Sequence, residues 1–230
     1  MTKTSQKIRT LCALAFFVAL AYVVMLVFRI KIQFLTLEFK DAIIAISALH
    51  FGPLAGVAVS VAVALLEMPT SDTQLYGFLM NALAAIAFSV PASLIYRKKR
   101  NLTFAAIGLG CSIVVMTATM CLANILITPH FMGAPVGVVI DMLPTLLFPF
   151  NLIKSVANTA LVFLLYKPMT TALKHAKLIE KSPRTSEPPE SGAKKRMWIT
   201  ILVNILAALL LVVALLVIFL VLKGDFSSIS

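Results

Sequence analysis

Asn151 and Lys154 lie inside LLFPFNLIKSVANTALVFLLYK, residues 146–167, a stretch that otherwise reads as membrane-spanning hydrocarbon. Three residues apart, they share one face of a helix. Counted from the start of the apolar run at residue 144, Lys154 is about ten residues deep, roughly 15 Å of rise. An ammonium at that depth costs about 2.5–3.5 kcal/mol on insertion scales, so something must offset it. A carboxylate, a water-filled cavity or a polar ligand could do so. No Asp or Glu lies in the interior of any long apolar run, which makes a polar cavity that receives a ligand the expectation. The alternative is a structural lysine bonded to carbonyls at a broken helix. Pro149 bears on both readings, because it removes a backbone donor one turn before Lys154 and frees carbonyls beside the two polar groups.

Asn124, five residues before Pro129, repeats the pattern of a buried amide followed by a helix-ending proline. Asn81, in YGFLMNALAAIAFSVPA, is a third intramembrane amide. One such Asn is ordinary interhelical glue; three amides and an ammonium at compatible depths outline a pocket. The segment RIKIQFLTLEFKD, 29–41, mixes aromatic and charged residues. It reads equally as a lid over that pocket or as a plain surface loop.

The elements that must position these residues follow from composition. The chain has 230 residues, 60% hydrophobic and 13% charged, with a mean hydropathy of +1.01. Those values indicate an all-α, polytopic membrane protein. The net charge of +11 is the excess expected of loops held on the cytoplasmic side; no soluble basic domain is present to suggest a nucleic-acid partner. Cys12, Cys111 and Cys121 lie in apolar segments at spacings that fit neither a metal site nor a disulfide framework. No HExxH, GxxxxGK[ST], GxSxG or CxxC motif occurs, so neither an enzyme nor a self-powered transporter is expected.

Long apolar runs occupy about 11–28, 76–96, 103–128, 144–166 and 197–222. The first is too long for a signal-peptide core and is read as a retained span. Region 41–68 is long for one span and carries Gly52-Pro53 at its middle. The positive-inside rule, applied to Lys3, Lys7 and Arg9, puts the N-terminus in the cytoplasm. Arg97-Lys98-Lys99-Arg100 returns to that side only if 41–68 forms two short helices turning at Phe51-Gly52-Pro53. The expected organisation is a six-helix membrane domain over 1–167 and a cytoplasmic linker over 168–196. An additional transmembrane helix over 197–222 and a tail over 223–230 follow, placing the C-terminus outside if that helix spans. The linker reads as solvated, with a first part that could instead lie as a helix on the anionic leaflet. In the first helix, Ala15 and Ala19 form a small-xxx-small pair that permits close approach of another helix.

Four stretches carry a resemblance: FLTLEFKDAIIAISALHFGPLAG (34–56), NALAAIAFSVPASLIYRKK (81–99), NILITPHF (124–131) and LLFPFNLIK (146–154). In order and spacing, over roughly residues 8–170, they resemble the riboflavin-specific substrate-binding (S) components of energy-coupling factor (ECF) transporters. The PFNxxK element is the most specific. The resemblance implies a six-helix core in the cell membrane, with an outward-facing vitamin pocket gated by the first external loop. It implies no cofactor, with riboflavin as the transported ligand. The implied partners are a transmembrane coupling (T) protein and two cytosolic ATPases. On the matching positions, Asn151 and Lys154 would contact the flavin and Asn124 would join them, while Ala15 and Ala19 would dock the coupling protein. Isoalloxazine has alternating acceptor and donor edges that carboxamides and an ammonium match. Its apolar end needs walls such as Phe34, Leu35, Met80 or Phe150. Phe34-Leu35-Thr36 stands where the family usually has Tyr-Leu-Lys, and Ala42-Ile43 lacks its usual proline. Rival readings are an S component for another flavin or vitamin, or a scaffold that recruits a membrane partner through its last helix.

Overall fold

A computed structural model describes residues 3–71, 73–176, 178–179, 190–220 and 225–226. Helix α1 (Lys3–Val27) leads into a β-hairpin of β1 (Arg29–Ile32) and β2 (Leu35–Glu38). Next come α2 (Lys40–Phe51), α3 (Pro53–Glu67), α4 (Gln74–Tyr96) and α5 (Leu102–Met132). A short α6 (Val136–Met142) passes through a π-helical turn, Leu143–Leu147, into α7 (Phe148–His175). Helix α8 (Glu190–Leu220) and a two-residue strand β3 (Asp225–Phe226) complete the described chain. Among the described residues, six stretches are long and apolar enough to cross a membrane: Ser5–Val27, Pro53–Thr70, Gln74–Tyr96, Leu102–Met132, Val136–His175 and Ile201–Leu220.

The seventh hydrophobic element, α2, is the centre of the molecule. At 12 residues it is about 18 Å long, short of a 30 Å hydrocarbon layer. It packs against α1, α3, α4 and α7, and every residue from Lys40 to Leu49 is buried. Its N-terminal end is therefore enclosed by protein. The turn after it falls where the charge argument placed it. Gly52 adopts φ 103°, a conformation only glycine takes without strain, and its N–H donates to the Ala48 carbonyl at 2.8 Å. Pro53 opens α3, where a missing N–H costs nothing. A Cβ on Gly52 would lie 3.7 Å from the Arg97 guanidinium, so this turn and the Arg97–Arg100 loop share one end of the bundle.

Small residues set the helix spacing. A Cβ on Gly108 of α5 would lie 2.8 Å from the Ala92 carbonyl oxygen of α4, and one on Gly56 of α3 would lie 2.8 Å from the Ala48 Cβ. Buried serines (Ser47, Ser60, Ser89, Ser93 and Ser112) occupy the same interfaces, and Ser93 donates to the Ala48 carbonyl at 2.7 Å. On α1, Ala13, Phe17 and Ala21 form the stripe that packs inward, whereas Ala15 and Ala19 face outward. The outward pair takes no part in internal packing.

Two expectations about helix ends, at Pro129 and at the start of the 168–196 linker, need correction. Pro129 does not end its helix: α5 runs on to Met132 and stops at Gly133, whose φ of 62° is left-handed and whose N–H donates to the Pro129 carbonyl. Pro168 likewise sits inside α7, which continues to His175 rather than ceding to a linker or a separate surface helix. A proline removes one bond but leaves the neighbouring helix-to-helix packing intact, and that packing carries the segment through. Most of the expected linker's middle lies outside the described residues.

Because Gly108 meets backbone rather than a mobile side chain, Gly108→Ala is expected to lower the thermal stability of the detergent-solubilised protein by about 1–3 kcal/mol. Gly110, in the same helix, has open space at its Cβ position. Gly110→Ala is the matched control, neutral or stabilising by about 0.5–1 kcal/mol.

Candidate functional site

The 3.6-residue period places Asn151, Lys154 and Asn158 on one face of α7, and all three are buried. Lys154 and Asn158 meet the N-terminus of α2. The Asn158 side-chain oxygen accepts from the Ala42 N–H at 2.9 Å, and its amide donates to the carbonyls of Glu38 (3.1 Å) and Lys154 (3.0 Å). One carboxamide thus caps the first turn of α2, an end with no side-chain cap of its own.

Lys154 meets a carboxylate. Its Nζ lies 3.6 Å from Asp41 Oδ2, with the two side chains 6% and 0% exposed. The expectation of no carboxylate partner is overturned. Asp41 begins an element rather than lying inside a long apolar run, yet α2 starts deep in the protein. Helix α7 begins at Phe148, directly after the π-helical turn and without a break from α6. A 3.6 Å ion pair is longer than an ordinary hydrogen bond, and an ammonium has three N–H donors, so donor capacity remains for a second partner.

The ion pair belongs to a larger cluster. Glu38 of β2 and Glu67 of α3 both contact the Lys40 ammonium. Arg29 of β1 reaches Glu38 Oε1 at 3.4 Å and Glu67 Oε1 at 3.6 Å. With Asp41 and Lys154, three cations balance three carboxylates. For Glu38, burial pushes the carboxyl upward, but the charges of Lys40, Lys154 and Arg29 outweigh it and hold it below its ordinary value.

Against this cluster lies a cavity of about 280 Å³, near the lower end of the range for small-molecule sites. The hairpin covers one side, the α3–α4 connection and the end of α5 another, and α7 the floor. Six residues singled out by sequence line it together: Phe34, Leu35, Asn81, Asn124, Asn151 and Lys154. Asn151 donates to the Leu147 carbonyl at 2.8 Å, in the loosened turn before Pro149. Asn124 donates to the Met120 carbonyl at 2.7 Å and accepts from Thr128 at 2.9 Å. Each local bond fixes an amide and leaves it further capacity. Met80, Phe131 and Phe150 add apolar wall, and Arg29, Lys31, Glu38 and Glu67 add a charged rim. Ala15 and Ala19 are not part of this site.

The loop 29–41 forms an antiparallel hairpin joined through Gln33 and Phe34. Gln33 takes φ 55°, a turn position usually given to glycine. Sequence reasoning missed Arg29, Glu38, Asp41, Glu67 and Asn158. For Asn158 the signal was present, since it is one turn past Lys154 on the same face. The four charged residues fell at the edges of apolar runs, where charge is ordinary.

The family described as "ECF transporter, substrate-specific component" matches residues 9–166. The chain is 28% identical over 147 residues to the riboflavin transporter RibU of Staphylococcus aureus (strain TCH60), spanning 61% of this chain and 78% of that protein. It is 26% identical over 178 residues to the riboflavin transporter FmnP of Bacillus subtilis (strain 168), spanning 70% and 94%. A solved structure described as "Structure and mechanism of the S component of a bacterial ECF transporter" superposes with a TM-score of 0.62 at 28% identity. It covers 75% of this chain and 99% of that one.

Removing one partner of the Asp41–Lys154 pair leaves a buried charge. Asp41→Asn alone is expected to destabilise the solubilised protein by about 3–5 kcal/mol. Asp41→Asn with Lys154→Met should recover a large part of that loss in thermal unfolding. Additive losses would mean the two charges are not coupled.

Proposed function

This chain belongs to the family of ECF transporter substrate-specific components, and on that premise we propose that it binds riboflavin in the cavity between the hairpin and α7. The observation that carries the reading is the convergence of Asn81, Asn124, Asn151 and Lys154 from three helices on one cavity. The two riboflavin transporters among its relatives support the choice of ligand. Asn151 and Lys154 bind the polar edge of the isoalloxazine, where carbonyl oxygens and ring nitrogens alternate. Asn124 and Asn81 supply further amide contacts. Phe34, Leu35, Met80 and Phe150 enclose the dimethylbenzene end and the ring faces. The ribityl hydroxyls take the charged rim, where hydroxyls can both donate to Glu67 and accept from Arg29.

The protein works as a passive receptor. Its binding energy comes from the cavity, and its reorientation is driven by a membrane coupling protein and two cytosolic ATPases. Ala15 and Ala19 dock the coupling protein, because their small side chains leave a shallow face on α1 on which another helix can lie close. The Arg97–Arg100 loop and the Gly52 turn face the cytoplasm, and the hairpin end with its cavity faces outward.

Purified in detergent, the protein is expected to quench riboflavin fluorescence stoichiometrically or to emerge already yellow. A colourless preparation that ignores added riboflavin would overturn the reading. Asn151→Ala should keep the protein folded and weaken riboflavin at least tenfold, about 1.4 kcal/mol. In reconstituted uptake, Ala15→Leu with Ala19→Leu should abolish transport while leaving the equilibrium affinity of the solubilised protein unchanged.

A further inference from the structure

Helix α8 lies beyond residue 166, where the family match ends, yet it is not a free anchor. It packs along α7, and two of its residues enter the apolar cluster behind the hairpin. Ala214 (5% exposed) and Ile218 (fully buried) join Ile30, Ile32 and Leu37 there. Beyond α8, β3 pairs antiparallel with β1, Ile30 opposite Phe226 and Lys31 opposite Asp225. The sheet order is β2-β1-β3, so β3 occupies the edge of the hairpin that β2 leaves open.

The hairpin has two chemically distinct faces, as strand alternation requires. The cross-strand pairs Arg29–Glu38 and Lys31–Thr36 line the cavity. The intervening pair Ile30–Leu37, and Ile32 beyond it, point the other way into the cluster shared with α8. A cover swinging off the cavity as a unit must drag its apolar back away from Ala214 and Ile218 and break the backbone pairing to β3. We propose that α8 and β3 clamp the back of the hairpin, so that this helix sets how fast the cavity opens. Ala214 and Ile218 are positioning residues, since they act on the cavity only through the hairpin. The kinetic consequence rests on riboflavin occupying the cavity; the clamp itself does not.

Two variants of the full chain test it: Ile218→Ala, and a chain ended after residue 222, which removes β3 and keeps α8. Amide hydrogen exchange at residues 29–32 in ligand-free protein reads the clamp. Ala84 of α4 lines the cavity, so labelling of Ala84→Cys by a water-soluble thiol reagent, with the three native cysteines changed to serine, reads access to it without a flavin. Stopped-flow riboflavin quenching reads the ligand. The clamp predicts that exchange, labelling and both riboflavin rate constants rise by about threefold or more in each variant. Because both rates rise, the equilibrium affinity should move less than either. Unchanged exchange or unchanged labelling in both variants would overturn the proposal, as would faster opening with unchanged riboflavin rates. If the parent chain binds no riboflavin, the ligand assignment fails while exchange and labelling still decide the clamp.

Discussion

The constraint on which the rest depends is the neutralisation of buried charge at the N-terminus of α2. Lys40 and Asp41 are each 1% exposed, and an unpaired ion at that depth would cost several kcal/mol even after relaxation. Helix α2 can begin inside the protein only because Glu38 and Glu67 surround Lys40 and because Lys154 faces Asp41. Asn158 adds the missing cap. These contacts tie the hairpin, α2, α3 and α7 to one point, so the geometry of the cavity wall and the stability of the central helix are the same problem.

That arrangement changes the meaning of Lys154. As a residue inside an apolar run it looked like an ammonium waiting for a ligand. In the structure it answers to Asp41 on one side and lines the cavity on the other. The ion pair gives the ammonium a partner that does not depend on what the cavity holds, and its length leaves donors for what enters. A site built this way needs no large rearrangement of α7, because both Asn151 and Lys154 are held by bonds that exist without the ligand.

The hairpin carries the same economy to the other side of the cavity. Its polar face joins the charge cluster through Arg29 and Glu38, and its apolar face joins a hydrophobic cluster with α7 and α8. A four-residue strand with alternating side chains links two environments that share no residue type. In RIKIQFLTLE the alternation is visible, but in a chain dominated by helical spans the segment read equally as a lid or as a plain surface loop, with no strand pairing assigned to it.

The spans, the two-helix break at Gly52, the shared face of Asn151 and Lys154, and the pocket amides Asn81 and Asn124 were all legible from the sequence. Each depends on hydropathy, helical period or proline and glycine stereochemistry, which act over a few neighbouring residues. The carboxylate partner of Lys154, the cap from Asn158 to an amide 116 residues away, and the entry of Ala214 and Ile218 of α8 into the apolar cluster behind the hairpin were decided by tertiary structure alone. A charge at the edge of an apolar run reads the same whether it meets water or an opposite charge. Only packing determines its dielectric surroundings, and those surroundings set whether it is a surface residue or part of the site.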